Sequence, residues 1–381
     1  MPKDWRELTL GDVAQYINGR AFKPSEWKRI GLPIVRIQNL NDPLKPFNYF
    51  DGECEQRYYI NNGDILISWS ASLGVYVWDR GPAILNQHIF RVLPNESIVD
   101  RRYFVYAIQT ILEEMKSRVH GSTMRHIVKS DFQSLKIPIP PLTVQRRIAD
   151  VLDRGKQLQR LREETNQLTS KLTQSVFLKM FGDPINNTKR YDLTKLPDVA
   201  KLERGRFGHR PRTEPRFYGG KYPFIQIGDL PRDRIYIRAY TQTLNEKGLA
   251  ISRLFPRGTI VIAIAATIGE VGILDFDSCF PDSLVGITPN QSLLTPEYLY
   301  FFLVSIKKRL TELAPLTAQR NINLRILSQV EVPVPPIDQQ RRFSDFIDKA
   351  EKMRMKQETS TAEINELFRS LMQRAFRGEL R

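Results

Sequence analysis

The chain contains one stretch of sequence twice, and this duplication limits the folds that are open to it. Residues 137–183 open with Ile-Pro-Ile-Pro-Pro and continue through Gln-Arg-Arg at 145–147. The run Val-Pro-Val-Pro-Pro begins 195 residues later, at 332, and Gln-Arg-Arg follows again at 340–342. The two copies stay in register over more than forty residues without a gap. A repeat of this length predicts two copies of one structural unit.

Each copy predicts a short extended segment followed by a long amphipathic helix. Proline fixes φ and disfavours helix in the residue before it, so the proline run is extended. After Pro141 the next proline is Pro184, and apolar residues recur between them at steps of three and four. About forty residues of helix make a rod of roughly 60 Å. A rod with one apolar stripe needs a partner, and its twin is the obvious one.

Two unrelated surface helices that pack on separate domains are the alternative to a helix pair. Thr143 and Asp338 are the candidate N-caps of the two helices.

The remainder of the chain is duplicated as well. Residues 5–22 match 191–208, and residues 63–68 match 258–263. Runs rich in β-forming residues predict strands in the first copy at 33–39, 65–69, 74–78 and 89–93. Peripheral helices are predicted at 102–118 and 296–313.

This order predicts the fold class and the domain boundaries. We expect an α+β protein in which two similar mixed α/β domains are separated by two long antiparallel helices that form a coiled-coil spacer. The helices are antiparallel if the two copies share an internal pseudo-two-fold axis, and the domains then lie at opposite ends of the spacer. The predicted boundaries are 1–141 for the first domain, 142–183 for the central helix, 184–336 for the second domain and 337–381 for the C-terminal helix.

The charge of the chain indicates a polyanionic partner. A formal net charge of +15 and a pI near 9.7 favour nucleic acid first and an acidic membrane surface second. Cys54 and Cys279 match no metal or redox spacing, which favours a reducing, cytoplasmic setting. We expect no signal peptide, because the first five residues contain no apolar run. The longest apolar stretch, 259–269, is too short to span a membrane.

The sequence contains no recognisable set of catalytic residues. It has no Gly-x-x-x-x-Gly-Lys phosphate loop. Asp-Pro-Ile-Asn at 183–186 lacks the second proline and the aromatic residue of the amino-methyltransferase motif, so we interpret it as a helix-terminating turn. Of the four histidines, His120 and His126 flank a Gly-Ser-Thr turn and have no carboxylate or cysteine at ligand spacing. We therefore predict a binding protein with no catalytic group, no metal and no cofactor of its own.

Basic and amide side chains in the loops are the candidate DNA contacts. Arginines crowd residues 204–216 with phenylalanines interleaved, a composition that suits phosphate and guanine contacts. A flexible, solvated basic loop is the alternative there, and the polar loops after the peripheral helices could equally cap helices. The predicted DNA contacts are Arg20, Lys23, Gln87, His88, Arg125, Arg204, Arg206, Arg210, Arg212, Gln319, Arg320 and Asn321.

The doubled proline-then-Gln-Arg-Arg pattern resembles the specificity subunit of type I restriction–modification systems. Gly-Asp-Ile-Leu at 63–66 and Ile-Gln-Ile-Gly-Asp-Leu at 225–230 are similar to that family as well, and the resemblance covers essentially the whole chain. It implies two target-recognition domains, each of which reads one half of a bipartite DNA site, and a helix pair that fixes the gap. Because the two domains differ in sequence, the target is expected to be asymmetric.

The resemblance also implies partner subunits that carry the chemistry. Two methyltransferase subunits would dock on the helices and methylate adenine with S-adenosylmethionine, and restriction subunits would add nuclease activity and ATP- and Mg-dependent translocation. The predicted partner contacts are Gln145, Arg146, Arg147, Gln340, Arg341 and Arg342. A two-domain helical scaffold that binds other proteins is the alternative function. A self-contained nuclease–methyltransferase is disfavoured, because the cofactor motifs are missing.

Overall fold

The computed structural model describes residue 2 and residues 4–70, 72–118, 129–231, 234–313 and 321–380. The chain divides into two compact units. Unit 1 is Met1–Leu161 together with Ser360–Arg381, and unit 2 is Arg162–Thr359. Each unit therefore contains one globular domain and one half of each of two long helices.

Unit 1 is built from short strands, short helices and one longer peripheral helix. Its strands are Arg6–Thr9, Ala14–Asn18, Leu32–Val35, Asn48–Phe50, Tyr59–Ile60, Ile65–Ser68, Gly74–Val77, Ala83–Leu85, Ile89–Pro94 and Lys136–Ile139. Its helices outside the long pair are Leu10–Val13, Ile37–Asn41, Arg101–Arg118 and Lys129–Ser134, with 3₁₀ turns at Pro24–Glu26 and Gln56–Tyr58.

The core of unit 1 is two layers of sheet beside the peripheral helix. One antiparallel sheet has the strand order Ala14–Asn18, Ile89–Pro94, Ile65–Ser68, Gly74–Val77. The other has the order Asn48–Phe50, Leu32–Val35, Ala83–Leu85, Tyr59–Ile60, and its central pair is parallel. Ile65 and Ile67 pack toward the peripheral helix, whereas Leu66 packs with Trp78 of the other face. Residues 65–67 of this strand are all apolar because both of its faces are buried.

Unit 2 repeats this plan. Its strands are Leu193–Lys195, Ala200–Arg204, Tyr218–Phe224, Tyr236–Ile237, Gln242–Leu244, Leu254–Phe255, Ile260–Ala263, Val271–Leu274, Ser278–Cys279, Leu284–Pro289 and Glu331–Pro333. Its helices outside the long pair are Leu196–Val199, Glu246–Ala250, Pro296–Ser305, Lys307–Glu312 and Leu324–Ser328, with 3₁₀ turns at Pro215–Phe217 and Ile227–Asp229.

The sheets of unit 2 correspond to those of unit 1. Ala200–Arg204, Leu284–Pro289, Ile260–Ala263, Val271–Leu274 and Tyr236–Ile237 form a five-stranded sheet in that order. A second sheet has the order Gln242–Leu244, Tyr218–Phe224, Ser278–Cys279, Leu254–Phe255. Ile260 and Ile262 again face one core and Val261 the other.

The two long helices predicted from the repeat are present. The first long helix is Leu142–Phe181 and the second long helix is Ile337–Arg377. Both begin one residue before the predicted N-caps, so Thr143 and Asp338 lie inside the first turn and the N-cap prediction is wrong. The carbonyl of Pro141 accepts the amide protons of Val144 and Gln145, which places the cap at the end of the proline run.

The long helices are antiparallel within each unit. In unit 1, Gly155 faces Phe368, and Gln159 Nε2 donates to Asn365 Oδ1 at 2.8 Å. In unit 2, Gln357 Nε2 donates to Thr169 Oγ1 at 3.1 Å, and the rings of Phe177 and Phe343 are 5.5 Å apart. Residue numbers rise along one helix as they fall along its neighbour. The prediction of mixed α/β units with long antiparallel helices is confirmed.

Two secondary-structure predictions need correction. The strand expected at 33–39 ends at Val35, and Ile37–Asn41 is helical. Asn39 explains the change, because its buried side chain accepts from Arg36 N at 3.1 Å and donates to the carbonyl of Lys45 at 3.1 Å. The helix expected at 296–313 breaks at Ile306 into two helices. Among the described residues, no helix has the length and apolarity to cross a membrane.

Candidate nucleic-acid interface

Two loops meet at the same place in each unit. The strand-end loop follows Ala14–Asn18 in unit 1 (residues 19–23) and Ala200–Arg204 in unit 2 (residues 205–216). The facing loop precedes the strand at 89 (residues 86–88) or at 284 (residues 280–283). In unit 1 the amide of Gly19 donates to Ile89 O at 3.1 Å and that of Arg20 to Leu85 O at 2.9 Å.

The same two backbone contacts recur in unit 2. Gly205 N donates to Leu284 O at 2.9 Å, and Arg206 N donates to Phe280 O at 3.0 Å. A Cβ at Gly19 or Gly205 would collide with the backbone of the facing loop, so both positions require glycine. Arg20 and Arg206 therefore occupy equivalent positions on one shared loop scaffold.

In unit 2 three arginines converge on one residue of the facing loop, Asp282. Arg204 Nε donates to the Asp282 carbonyl at 2.6 Å. Arg210 Nη2 lies 3.0 Å from Asp282 Oδ2, and Arg212 Nη2 pairs with Asp282 Oδ1. Two guanidinium groups on the carboxylate and a third on the carbonyl of the same residue give these four side chains a net charge of +2, which attracts a polyanion. We call these four residues the arginine clamp.

The strand-end loop of unit 2 is folded rather than flexible. Phe207 and Phe217 are buried, with ring centroids 5.9 Å apart. Arg210 Nη1 also donates to Phe207 O at 2.8 Å, and the Tyr218 hydroxyl donates to Arg212 O. Burial raises the pKa of Tyr218, and the nearby Arg212 guanidinium opposes that shift. The loop backbone is therefore anchored by aromatic packing, and the clamp is presented from a rigid base.

Arg206 is exposed on the same loop. Its carbonyl accepts from Ser252 Oγ at 2.7 Å, which fixes the backbone. Its guanidinium forms no ion pair with any residue that the structure describes. Its fork of donors is therefore available without breaking an ion pair, whereas Arg210 and Arg212 are both paired with Asp282.

The strand-end loop of unit 1 holds its arginine differently. Arg20 Nη2 pairs with Glu26 Oε1 at 2.5 Å, and its guanidinium lies 4.7 Å from the ring centroid of Phe22 and 4.9 Å from that of Phe50. The ion pair and the two aromatic rings fix the orientation of the Arg20 guanidinium. Lys23 is exposed on the same loop.

The facing loop of unit 1 carries the half-buried Gln87 and His88. His88 has a positive φ of 70°, and its ring lies 4.9 Å from that of Trp69. Trp69 N donates to the carbonyl of His88 at 3.2 Å. The structure thus brings Arg20, Gln87 and His88 to one edge of unit 1.

The remaining predicted DNA contacts lie after the peripheral helices. Asn321 is exposed and bridges to Ala265, while Ile264 N donates to Ser283 O at 3.1 Å. Asn321 is therefore next to the facing loop of unit 2. The predictions for Arg125, Gln319 and Arg320 lie outside the described residues.

The turn at Ala265 and Ala266 was missed by the sequence reasoning. Ala266 has a φ of 59°, which is unusual for a residue with a side chain and occurs at functional turns. No local pattern in the sequence signals it.

Two of the predicted partner contacts have an internal role instead. Gln145 is fully buried: its Nε2 donates to Ile98 O at 3.0 Å and Pro140 O at 2.7 Å, and its Oε1 accepts from Asp100 N at 2.7 Å. Its side chain ties the proline run and the start of the peripheral helix to the first long helix. The side chain cannot reach a partner subunit, so this prediction needs correction.

Gln340 repeats this arrangement in unit 2. It is fully buried and contacts Leu293 O at 2.9 Å, Pro335 O at 2.8 Å and Thr295 N at 2.9 Å. Every one of these partners lies 195 residues after its counterpart in unit 1. The repeated glutamine is therefore explained by folding, and it too is unavailable to a partner.

The arginines beside these glutamines face solvent. Arg146, Arg147, Arg341 and Arg342 are all exposed on the first turns of the long helices. Arg146 Nε lies 3.9 Å from Asp100 Oδ2, and Arg341 Nη1 lies 3.7 Å from Asp338 Oδ1. Their role as partner contacts stays a prediction.

The described residues contain no group of three or more His, Cys, Asp or Glu side chains that could hold a metal ion. Cys54 and Cys279 are free thiols, and burial raises the pKa of Cys279.

A family model described as the type I restriction modification DNA specificity domain matches residues 2–172 and, in a second copy, residues 189–366. The chain belongs to this DNA specificity family. Both matched copies contain a strand-end loop and a facing loop, so each of the two surfaces described above lies in a DNA specificity domain.

Relatives in the specificity family match over most or all of the chain. The type I restriction enzyme EcoBI specificity subunit of Escherichia coli is 24% identical, over 99% of this chain and 86% of its own. The MjaVIII specificity subunit of Methanocaldococcus jannaschii is 22% identical, over 100% of this chain and 94% of its own. A putative specificity subunit of Haemophilus influenzae is 27% identical, over 86% of this chain and 88% of its own.

Solved structures share the fold. A chain from a study of complex assembly and conformational transition of the type I R-M system aligns with a TM-score of 0.61 at 19% identity, covering 100% of this chain and 99% of that one. The type I restriction–modification S subunit from M. genitalium aligns with a TM-score of 0.59 at 15% identity, covering 98% and 96%.

Proposed function

We propose that the chain is the DNA-specificity subunit of a type I restriction–modification complex, that it reads a bipartite and asymmetric site, and that it performs no catalysis itself. Each unit supplies one reading surface, made by its strand-end loop and facing loop. The observation that carries this proposal is that both units build these loops with the same backbone contacts and different side chains.

The different side chains explain why the two half-sites would differ. Unit 1 presents a stacked arginine with Gln87 and His88, whereas unit 2 presents Arg206 and the arginine clamp. Sequence is read by hydrogen bonds to base edges, and the donors and acceptors differ at equivalent positions. A net charge of +15 supplies the phosphate attraction that both surfaces share.

The chemistry would belong to partner subunits. We infer that two methyltransferase subunits and restriction subunits bind this chain, and that Arg146, Arg147, Arg341 and Arg342 are among the contacts. S-adenosylmethionine, ATP and Mg would be held by those partners. Relatives named as specificity subunits of type I restriction enzymes support this proposal. A cytoplasmic location, where such a complex meets DNA, is consistent with the two free thiols.

An exchange of recognition domains tests the proposal. Residues 184–336 are replaced by the corresponding segment of a relative that has another target, and the methylated sites of a host carrying the complete system are sequenced. We expect one half-site to change and the other to stay. Exchange of residues 1–141 is the matched experiment and should change the opposite half. The proposal would be contradicted if the host with the wild-type system showed no bipartite methylated site. A change in both half-sites after one exchange would contradict it as well.

A further inference from the structure

We propose that Asp282 is a specificity-determining residue that acts through Arg210 and Arg212. This inference rests on the proposed function, because it assumes that the strand-end loop of unit 2 contacts DNA. Asp282 withholds two guanidinium groups from the phosphate backbone and holds them in a fixed direction at the reading surface.

The geometry of the clamp supports this role. Each oxygen of the Asp282 carboxylate takes one arginine, and the carbonyl of the same residue takes Arg204. Arg210 is fixed further, because its Nη1 donates to the carbonyls of Phe207 and His209 at 2.8 and 2.9 Å. The guanidinium groups therefore sit in set orientations on an anchored loop, which is the condition for reading a base edge rather than a mobile phosphate.

One donor in the clamp is unsatisfied. Nε of Arg212 is shielded from solvent and has no hydrogen-bond acceptor among the residues described. A buried donor without an acceptor costs free energy and calls for an explanation. In this proposal, an acceptor on the bound DNA supplies the missing partner of Arg212 Nε.

Unit 1 restrains its own arginine by a different carboxylate. The position equivalent to Asp282 is Gln87, which is neutral, and Arg20 is held by Glu26 of the 3₁₀ turn that follows its own loop. Both units thus pair the arginine-bearing loop with one acid, although the acid comes from a different element in each. If these loops only attracted DNA through their positive charge, neither Glu26 nor Asp282 would be needed.

Neutralising Asp282 should therefore increase affinity while reducing specificity. In Asp282→Asn the two guanidinium groups are released and can bind phosphates of any sequence. We expect tighter binding to non-target DNA and a slope of log K against log salt that is steeper by about 1 to 2, since each phosphate contact contributes about −0.9. The ratio of target to non-target affinity should fall by about tenfold or more, since a lost base-edge contact weakens discrimination.

The experiment uses the full chain assembled with its methyltransferase subunits. The probes are a duplex selected from a randomised library by the wild-type complex and a scrambled duplex of the same composition. Binding of both is measured across a salt series for wild type, Asp282→Asn and Asp282→Gln. The glutamine variant introduces the residue that unit 1 carries at this position, so the shared loop accommodates it if the asparagine variant does not fold.

Asp275→Asn is the matched control. Asp275 lies in the same unit and also holds two arginines, Arg238 and Arg257, each at 2.9 Å. Its arginines line a separate cavity of about 370 Å³ beside the second long helix. This variant makes the same change in net charge at a site away from the clamp. It should leave the ratio of target to non-target affinity unchanged.

The outcomes separate the two proposals. Failure of the wild-type complex to select any sequence would refute the proposed function. Selection by the wild type, together with an unchanged ratio and slope in the Asp282 variants, would overturn the role of Asp282 alone. An equal loss of specificity in Asp275→Asn would overturn it too, because net charge would then be the cause.

Discussion

Arg206 is the residue on which direct base reading by unit 2 can be tested most simply. Its guanidinium is exposed and free of ion pairs among the described residues, and its backbone is fixed by Phe280 and Ser252. If it grips a guanine, Arg206→Ala should weaken binding of the selected duplex by about 1–3 kcal/mol and relax the preference at one base pair. Binding and site selection with the variant complex measure both effects.

Arg206→Lys distinguishes a base contact from a phosphate contact. Lysine keeps the charge but loses the planar fork that fits a guanine edge. A base contact predicts that lysine fails to restore the preference. A phosphate contact predicts that lysine restores affinity, that alanine weakens all sequences equally, and that the salt slope changes by about 0.9. The second pattern would contradict base reading by Arg206.

At the scale of one element, Gly155 shows how the first long helix fits its neighbour. A glycine inside a helix costs about 1 kcal/mol relative to alanine. Its retention is explained by Phe368 on the second long helix, because a Cβ at position 155 would lie 2.8 Å from Phe368 Cδ2. In unit 2 the equivalent residues are Ala350 and Thr173, which line one cavity. Thr173 is smaller than its counterpart Phe368, so it leaves room for Ala350 at the position equivalent to Gly155.

We predict that the effect of Gly155→Ala changes sign with the residue at position 368. In the wild type, alanine should destabilise unit 1 because the contact is overpacked. In a Phe368→Thr background it should stabilise by about 1 kcal/mol, since only the gain in helix propensity remains. All four tryptophans lie in unit 1, so their fluorescence during urea unfolding reports this unit. Additive effects in the double-mutant cycle would show that the contact does not explain the glycine.

The sequence predicts best those elements whose apolar residues form a clear pattern along the chain. The long helices follow from apolar steps of three and four, and the strand at Ile65–Ser68 follows from an apolar run buried on both faces. The sequence predicts the role of Gln145 wrongly, because this glutamine directly precedes two exposed arginines. It lies three residues before the buried Ile148, on the apolar stripe, and a polar residue in that position is an internal hydrogen-bonding group.

The arrangement of the candidate site was not available from local sequence patterns. Asp282 pairs with arginines that are 70 and 72 residues away along the chain. Loops have no periodicity, and these partners are brought together by the antiparallel pairing of Ala200–Arg204 with Leu284–Pro289 in one sheet. The repeat indicates that Gln87 and Asp282 are equivalent positions, but it does not indicate that Asp282 holds Arg210 and Arg212 while Arg20 of unit 1 is held by Glu26.

On the scale of the whole molecule, both long helices contribute residues to both units. The first long helix crosses from unit 1 to unit 2 between Leu161 and Arg162, and the second crosses back between Thr359 and Ser360. Within each unit the helices pack antiparallel, so residues near 160 and residues near 360 lie in matched parts of the two helices. A change in helix length has to be made in both to keep their side chains in register.

We predict that adding seven residues to each helix, between Gln159 and Thr169 and between Gln357 and Asn365, lengthens the non-specific gap of the DNA target. Seven residues preserve the apolar stripe and add about 10 Å of helix, which is about three base pairs at 3.4 Å each. Both half-sites should stay unchanged, because no recognition loop is altered. Site selection with the variant complex measures the gap. The same seven residues inserted beside the exposed Leu44 are the control and should leave the target as it is. An unchanged gap, or altered half-sites, after the helix insertions would mean that the helices do not set the spacing.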